Sequence, residues 1–212
     1  MSRAHRWVVV LFLACGLGCT YQESVEPPED ITAFNFTRAL PKVEAYAGQD
    51  ASLVKIEAYY VRSDGTMDLT ADYRPRLNYT FVRKRAEGSE DGPIGTGQRQ
   101  RAYEVIEVEV REPGWLNINS GGRSNSTERH KGMNRRISES GEDVWKARTP
   151  PPKCDVKEVW AKAIKKVKAP KNAVAIITYE RGGYQFSIHD VDINVVFDKK
   201  CKLLTDEEAR AR

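Results

Sequence analysis

The chain reads as an α+β protein built of two small units, each a helix packed on an antiparallel sheet. Three observations predict this. Apolar residues alternate at strand period in several short runs, glycine-bearing turns fall between such runs, and two segments carry helical spacing instead. Neither half shows the regular strand–helix alternation of a parallel sheet.

The elements follow in order. Thr37 to Ala47 predicts a short helix ended by Gly48, with Leu40, Val43 and Ala47 on one side and Pro41 acceptable only near its first turn. Leu53 to Val61 alternates, Val54, Ile56, Ala58 and Tyr60 against Lys55, Glu57 and Tyr59, and so predicts a half-buried strand. Asp64-Gly65 is a hairpin signal, with Thr66 to Thr70 as the return strand. Arg76 to Lys84 and Arg101 to Arg111 are further strands, the last with Ile106, Val108 and Val110 inward and Glu107 and Glu109 outward. These make a first unit over residues 37–118.

Residues 119–152 exchange apolar alternation for Gly, Ser, Asn, Arg and Glu, which predicts a flexible linker closed by Pro150-Pro151-Pro152. A second unit spans 153–204. Its helix has Val156, Val159, Trp160, Ala163, Ile164 and Val167 on one face, with Lys157, Lys162, Lys165, Lys166 and Lys168 elsewhere, and Pro170 ends it. Ala173 to Glu180, a Gly182-Gly183 turn, Tyr184 to His189 and Val191 to Phe197 follow as strands, and 205–212 is a tail. The order helix, strand, glycine hairpin, strand, strand thus occurs twice, and aligning Gly65 with Gly183 brings Leu77–Phe81 close to Ile193–Phe197, as an internal repeat would.

The first residues are an address. Arg3, His5 and Arg6 precede the apolar run Trp7 to Ala14, then Gly16, Leu17, Gly18 and Cys19, the order of a signal peptide covering residues 1–18. The run is too short for a bilayer-spanning helix, which takes about 20 residues. Leu17-Gly18-Cys19-Thr20 resembles the lipobox of bacterial lipoproteins, which implies an acylated Cys19 as the mature N-terminus and a membrane held through that lipid. Gly16 stands where that family has leucine, and Cys15 is the rival site. An unlipidated secretory signal is the remaining alternative. In that family the lack of aspartate after the cysteine implies the outer membrane rather than the inner, and Thr20 stands there. Residues 19–36, rich in Glu and Pro up to Asp30, read as a solvated tether.

With Cys19 lipidated, Cys154 and Cys201 remain as a pair, and in an oxidising compartment such a pair predicts a disulfide, a metal or nucleophile role being the alternative. Losing Arg3 and Arg6 lowers the formal charge from +4 to +2, too balanced to attract nucleic acid. About 190 mature residues suit one domain or two small ones.

The second unit also resembles the PepSY module of secreted and envelope bacterial proteins, through Gly183-Tyr184-Gln185-Phe186, Val195-Val196-Phe197-Asp198 and Lys202-Leu203-Leu204. That resemblance implies a non-catalytic module that binds or restrains a partner protein, sometimes a protease. Cys201 stands where that family often has glycine.

Chemical motifs are sparse. His189 with Asp190 and Asp192 lacks a third convergent ligand and reads as a solvated turn. Gly92, Gly95 and Gly97 lack the Gly-Lys-Ser/Thr of a phosphate loop. There is no Gly-x-Ser-x-Gly elbow and no His-Glu-x-x-His. Asn35, Asn78 and Asn125 open short glycosylation sequons, which mean little beside a bacterial lipobox. Arg123, Arg129, Lys131, Arg135 and Arg136, or the lysine face of the second helix, offer contacts to anionic headgroups or an acidic partner. Tyr59, Tyr103 and Trp115 are candidates to line a binding face of the sheet. The expectation is a lipid-anchored envelope protein that binds a protein partner, with no cofactor. The alternative is a secreted enzyme, a hydrolase, whose site the sequence does not bring together.

Overall fold

The computed structural model describes residues 24–85, 102–120, 124–165 and 169–211. The signal segment, Cys15, Cys19, the glycines at 92, 95 and 97, Arg123 and residues 166–168 lie outside them. The class is α+β, as the alternation predicts. Helix α1 (Phe36–Ala47) is followed by strands β1 (Ser52–Val61), β2 (Leu77–Lys84) and β3 (Tyr103–Val110). Next come the two-stranded ribbon β4 (Gly114–Ser120) and β5 (Ser124–His130), then β6 (Met133–Ser140) and the short helix α2 (Glu142–Lys146). Helix α3 (Val156–Ala163), β7 (Ala175–Glu180), β8 (Gly183–Ile188), β9 (Ile193–Phe197) and α4 (Asp206–Arg210) complete the order.

Seven strands form one antiparallel sheet in the order β6-β3-β2-β1-β7-β8-β9. The strands of the two expected units are therefore joined, because β1 pairs with β2 on one side and with β7 on the other. Each unit is a helix and a three-stranded meander, and the two meanders meet back to back at β1 and β7. One cross-strand row runs through Val108, Tyr79, Ile56, Tyr179, Tyr184 and Phe197, all on the same face. Helices cover that face. The Tyr79 hydroxyl donates to the Phe36 carbonyl at 2.7 Å under α1, and Trp160 of α3 meets Phe186 edge-on at 5.1 Å.

Local chemistry explains the helices. Asn35 caps α1, its side-chain oxygen accepting from the Thr37 and Arg38 N–H groups, and Phe36, Ala39, Leu40, Val43 and Ala47 are its buried stripe. The helix begins one residue earlier than expected, which sets Pro41 in its second turn, and the Thr37 carbonyl lacks its usual backbone donor there. Asp155 caps α3, which buries Val156, Val159, Trp160 and Ala163. Cys154 and Cys201 are joined as a disulfide with Cα atoms 5.9 Å apart, tying the start of α3 to the end of β9.

Four expectations change. The segment expected as a linker, 119–152, holds the end of β4 and all of β5, β6 and α2, and β6 pairs with β3 along its whole length. Its alternation was diluted because only Met133 and Ile137 face the core from this outer strand, with Arg135 between them turned to cap α1. The return strand Thr66 to Thr70 does not pair with β1. The Asp64-Gly65 turn forms, with Gly65 at φ +81°, but Met67 instead exchanges hydrogen bonds with Phe34, and Leu69 donates to the Ile31 carbonyl. Part of the expected tether, 24–35, is consequently bound to the body: Val25 bridges Met133, and Phe34 is fully buried. Finally, the tail carries α4, opened by a capping box between Thr205 and Glu208.

Strand β1 faces inward with Leu53, Ile56, Ala58 and Val61, not with Val54 and Tyr60. Register shifts at Leu53/Lys55 and Tyr59/Val61 turn the chain by one residue at each end, and Tyr60 takes φ +69° at the second. The turn between β7 and β8 has two residues as expected, but they are Arg181 at φ +50° and Gly182 at +72° rather than Gly182-Gly183, since Gly183 opens β8 and pairs with Glu180.

Candidate binding face

The opposite face of the sheet carries the functional interest, since among the described residues no long helix lies on it. At one end α2 packs against β2 and β3, with Trp145 stacked on Tyr103 at 5.2 Å and Lys84 reaching over the indole. From there the chain passes round the end of the sheet. The Thr149 N–H donates to the Leu53 carbonyl, and the Thr149 hydroxyl accepts from the Gly182 N–H, which carries the chain across to the helical face.

Beyond α2 the face opens into a hollow of about 630 Å³ lined by Glu57, Asn78, Thr80, Glu107, Asn134 and Arg136 among others. These positions are outward because their neighbours are inward: Glu107 alternates with buried Ile106 and Val108, and Asn78 and Thr80 with Leu77, Tyr79 and Phe81. Glu57, Glu107 and Glu109 outnumber Arg135 and Arg136 on its lining, and the Arg135 guanidinium is engaged at the other face, where it donates to the Tyr46 and Ala47 carbonyls at the end of α1. The charged groups of the hollow are therefore acidic in balance, with Lys55 pairing Glu57 at 2.9 Å.

A second cavity of about 450 Å³ adjoins it through Glu109, at the joint between the main sheet and the β4–β5 ribbon. Arg74, Arg76 and Arg111 line it, with His130, Glu109 and Glu112. Arg76 lies 4.4 Å over the Tyr59 ring, and Arg111 stands 3.8 Å from Glu109. His130 is 3% exposed. Its Nδ1 lies 2.7 Å from the Gly132 nitrogen and its Nε2 3.0 Å from the Arg111 Nε, with the Asn134 amide against Nε2, and the neutral ring accepts at one of these nitrogens while carrying its proton on the other. A ring surrounded by donors resists a second proton, and burial first, then the Arg111 charge, push its pKa from 6.5 down to about 4.

The residues singled out from the sequence fall at scattered places. His189, Asp190 and Asp192 are exposed on a single 3₁₀ turn between β8 and β9. Tyr59 and Tyr103 do lie on the uncovered side, but each is capped, by Arg76 and by Trp145. The side chain of Trp115 lies outside the described residues. Lys162 of the lysine face is engaged with the Cys201 carbonyl and with Glu158. Among the described residues no group of three His, Cys, Asp or Glu is placed to hold a metal, and no helix is long and apolar enough to cross a membrane. Sequence reasoning missed the arginine corner, because Arg74, Arg76 and Arg111 come from a loop, a strand edge and a ribbon joint. It missed His130 too, whose neighbours Glu128, Arg129 and Lys131 give no sign of burial. No family model matches the chain, and neither a curated protein nor a solved structure matches it.

Proposed function

We propose that this is a lipid-anchored protein of the bacterial cell envelope, held by Cys19 in the outer membrane, whose role is non-catalytic binding of a protein partner. The observation that carries the reading is the acidic hollow on the sheet face that, among the described residues, no long helix covers. A sheet face of this breadth, rigid beneath and lined by Glu57, Glu107, Asn78 and Thr80, suits a partner that presents basic and hydrogen-bonding groups. The signal-like N-terminus and the PepSY resemblance of the second unit support the same reading, and the Cys154–Cys201 disulfide accords with an oxidising compartment.

The test has two parts. Mass spectrometry of the mature N-terminus is expected to find a diacylated or triacylated Cys19, and a different, unmodified terminus contradicts the anchor. Capture of partners by the anchored protein is expected to be lost in the double variant Glu57→Lys/Glu107→Lys and kept in a control with Glu44→Lys and Glu207→Lys. Capture indifferent to the first pair contradicts the face.

A further inference from the structure

The arginine corner has a position that the acidic hollow lacks, because it lies where the N-terminal segment joins the body. Val25 and Met133 exchange backbone hydrogen bonds at 2.9 Å, and the next residue, Gly132, accepts from the Arg111 N–H at 2.9 Å. Arg111 in turn lines the corner with Arg74 and Arg76. Five residues lie between Cys19 and Val25, so a fully extended chain places the lipidated cysteine at most about 20 Å from this point. The corner therefore stays within reach of the membrane surface, whatever the rest of the body does.

Its chemistry suits that surface. Arg74 and Arg76 are exposed, and among the described residues neither side chain has an acidic partner or a hydrogen bond. The Tyr59 ring holds Arg76 in place while leaving the guanidinium edge open. Glu109 and Glu112 share the cavity; Glu109 faces Arg111, and with Glu112 set against Arg74 and Arg76 the lining keeps an excess of one positive charge. Two forked donors on a concave wall match the oxygens of a phosphate.

We infer that the corner formed by Arg74, Arg76 and Arg111 seats the phosphate of an anionic lipid headgroup in the leaflet that carries the Cys19 lipid, an inference that rests on the lipid-anchor reading. Docking there fixes the orientation of the body, with the joint of the β4–β5 ribbon toward the membrane.

The probe is the chain from residue 19 onward carrying Cys19→Ser, mixed with vesicles of phosphatidylglycerol in phosphatidylcholine or of phosphatidylcholine alone. The protein is expected to bind the anionic vesicles only, more weakly as salt rises. Arg74→Gln/Arg76→Gln is expected to lower the partition about thirty-fold, at about five-fold for each arginine near a charged surface. Exposed Lys171→Gln/Lys200→Gln, which removes the same charge elsewhere, is expected to leave it within two-fold. Circular dichroism of each variant confirms the fold. Equal binding by wild type and the arginine pair overturns the inference, as does equal loss in the lysine pair, or binding of soluble inorganic phosphate with no vesicle binding. Because the probe carries no lipid, failure here is distinct from failure of the anchor, which the N-terminal mass measures.

Discussion

The two halves of the sheet share a plan and differ in how they are closed. In the second half, β7 and β8 are joined by the two residues Arg181 and Gly182, and a disulfide fastens the helix to the last strand. In the first half, β1 and β2 are separated by residues 62–76, which leave the sheet to pair with the N-terminal segment at Phe34. The corresponding strands are thus β1 with β7, β2 with β8 and β3 with β9, rather than β2 with β9 as the glycine alignment suggests. The first half also carries β6 and the ribbon, and with them both cavities. The open half holds the candidate sites.

Several changes break or sharpen this comparison. The largest concern the core, which is continuous across the halves. Phe81→Ala in the first and Phe186→Ala in the second are each expected to cost about 3 to 5 kcal/mol, in a single cooperative denaturant transition that both variants shift. Two separate transitions, each moved by one variant only, would show that the halves fold independently. Next, loss of the disulfide in Cys154→Ala/Cys201→Ala is expected to cost about 4 kcal/mol, since it frees a 47-residue separation in the unfolded chain. Urea titration of the oxidised wild type against the variant measures it.

The open half has its own sensitivity to acid. His130 is held at a pKa of about 4 in the folded state against 6.5 when free, so the unfolded chain takes up the proton first. Stability is full above pH 6.5 and falls as pH drops toward 4. Stability measured across that range is expected to decline in wild type and to decline less in His130→Gln, while variants in the second half keep the slope.

The smallest effects separate the two turn glycines. Gly182 has only ordinary contacts around an added Cβ, so Gly182→Ala costs about 1 kcal/mol, from its positive φ alone. At Gly65 an added Cβ meets the Lys157 backbone nitrogen at 3.2 Å and the Val156 Cβ at 3.3 Å, so Gly65→Ala costs about 2 kcal/mol. The first-half turn thus bears on the second-half helix, and equal thermal shifts for the two variants would contradict that contact.

What could be read from the sequence follows the same division. The second half was legible because its signals are local: helical spacing from Val156, a glycine at a two-residue turn, alternation at Tyr184, Phe186 and Ile188. In the first half the deciding contacts are distant. Nothing near Met67 shows that it will pair with Phe34 rather than with β1, and nothing near Met133 shows that Val25 will lie beside it. The uncovered face was only partly legible, since alternation placed Glu107 and Glu109 outward but could not show that no long helix would cover them. The arginine corner was illegible, being assembled where the β4–β5 ribbon joins the main sheet.

Photo-crosslinking in intact cell envelopes tests the central claim most directly. A photoreactive residue at Thr80, in the acidic hollow, is compared with one at Lys42, exposed on α1 over the other face. The account predicts a discrete protein adduct from Thr80 and none from Lys42. An adduct from Lys42 alone, or none from either in cells where the anchored protein is abundant, would contradict a partner on the uncovered face.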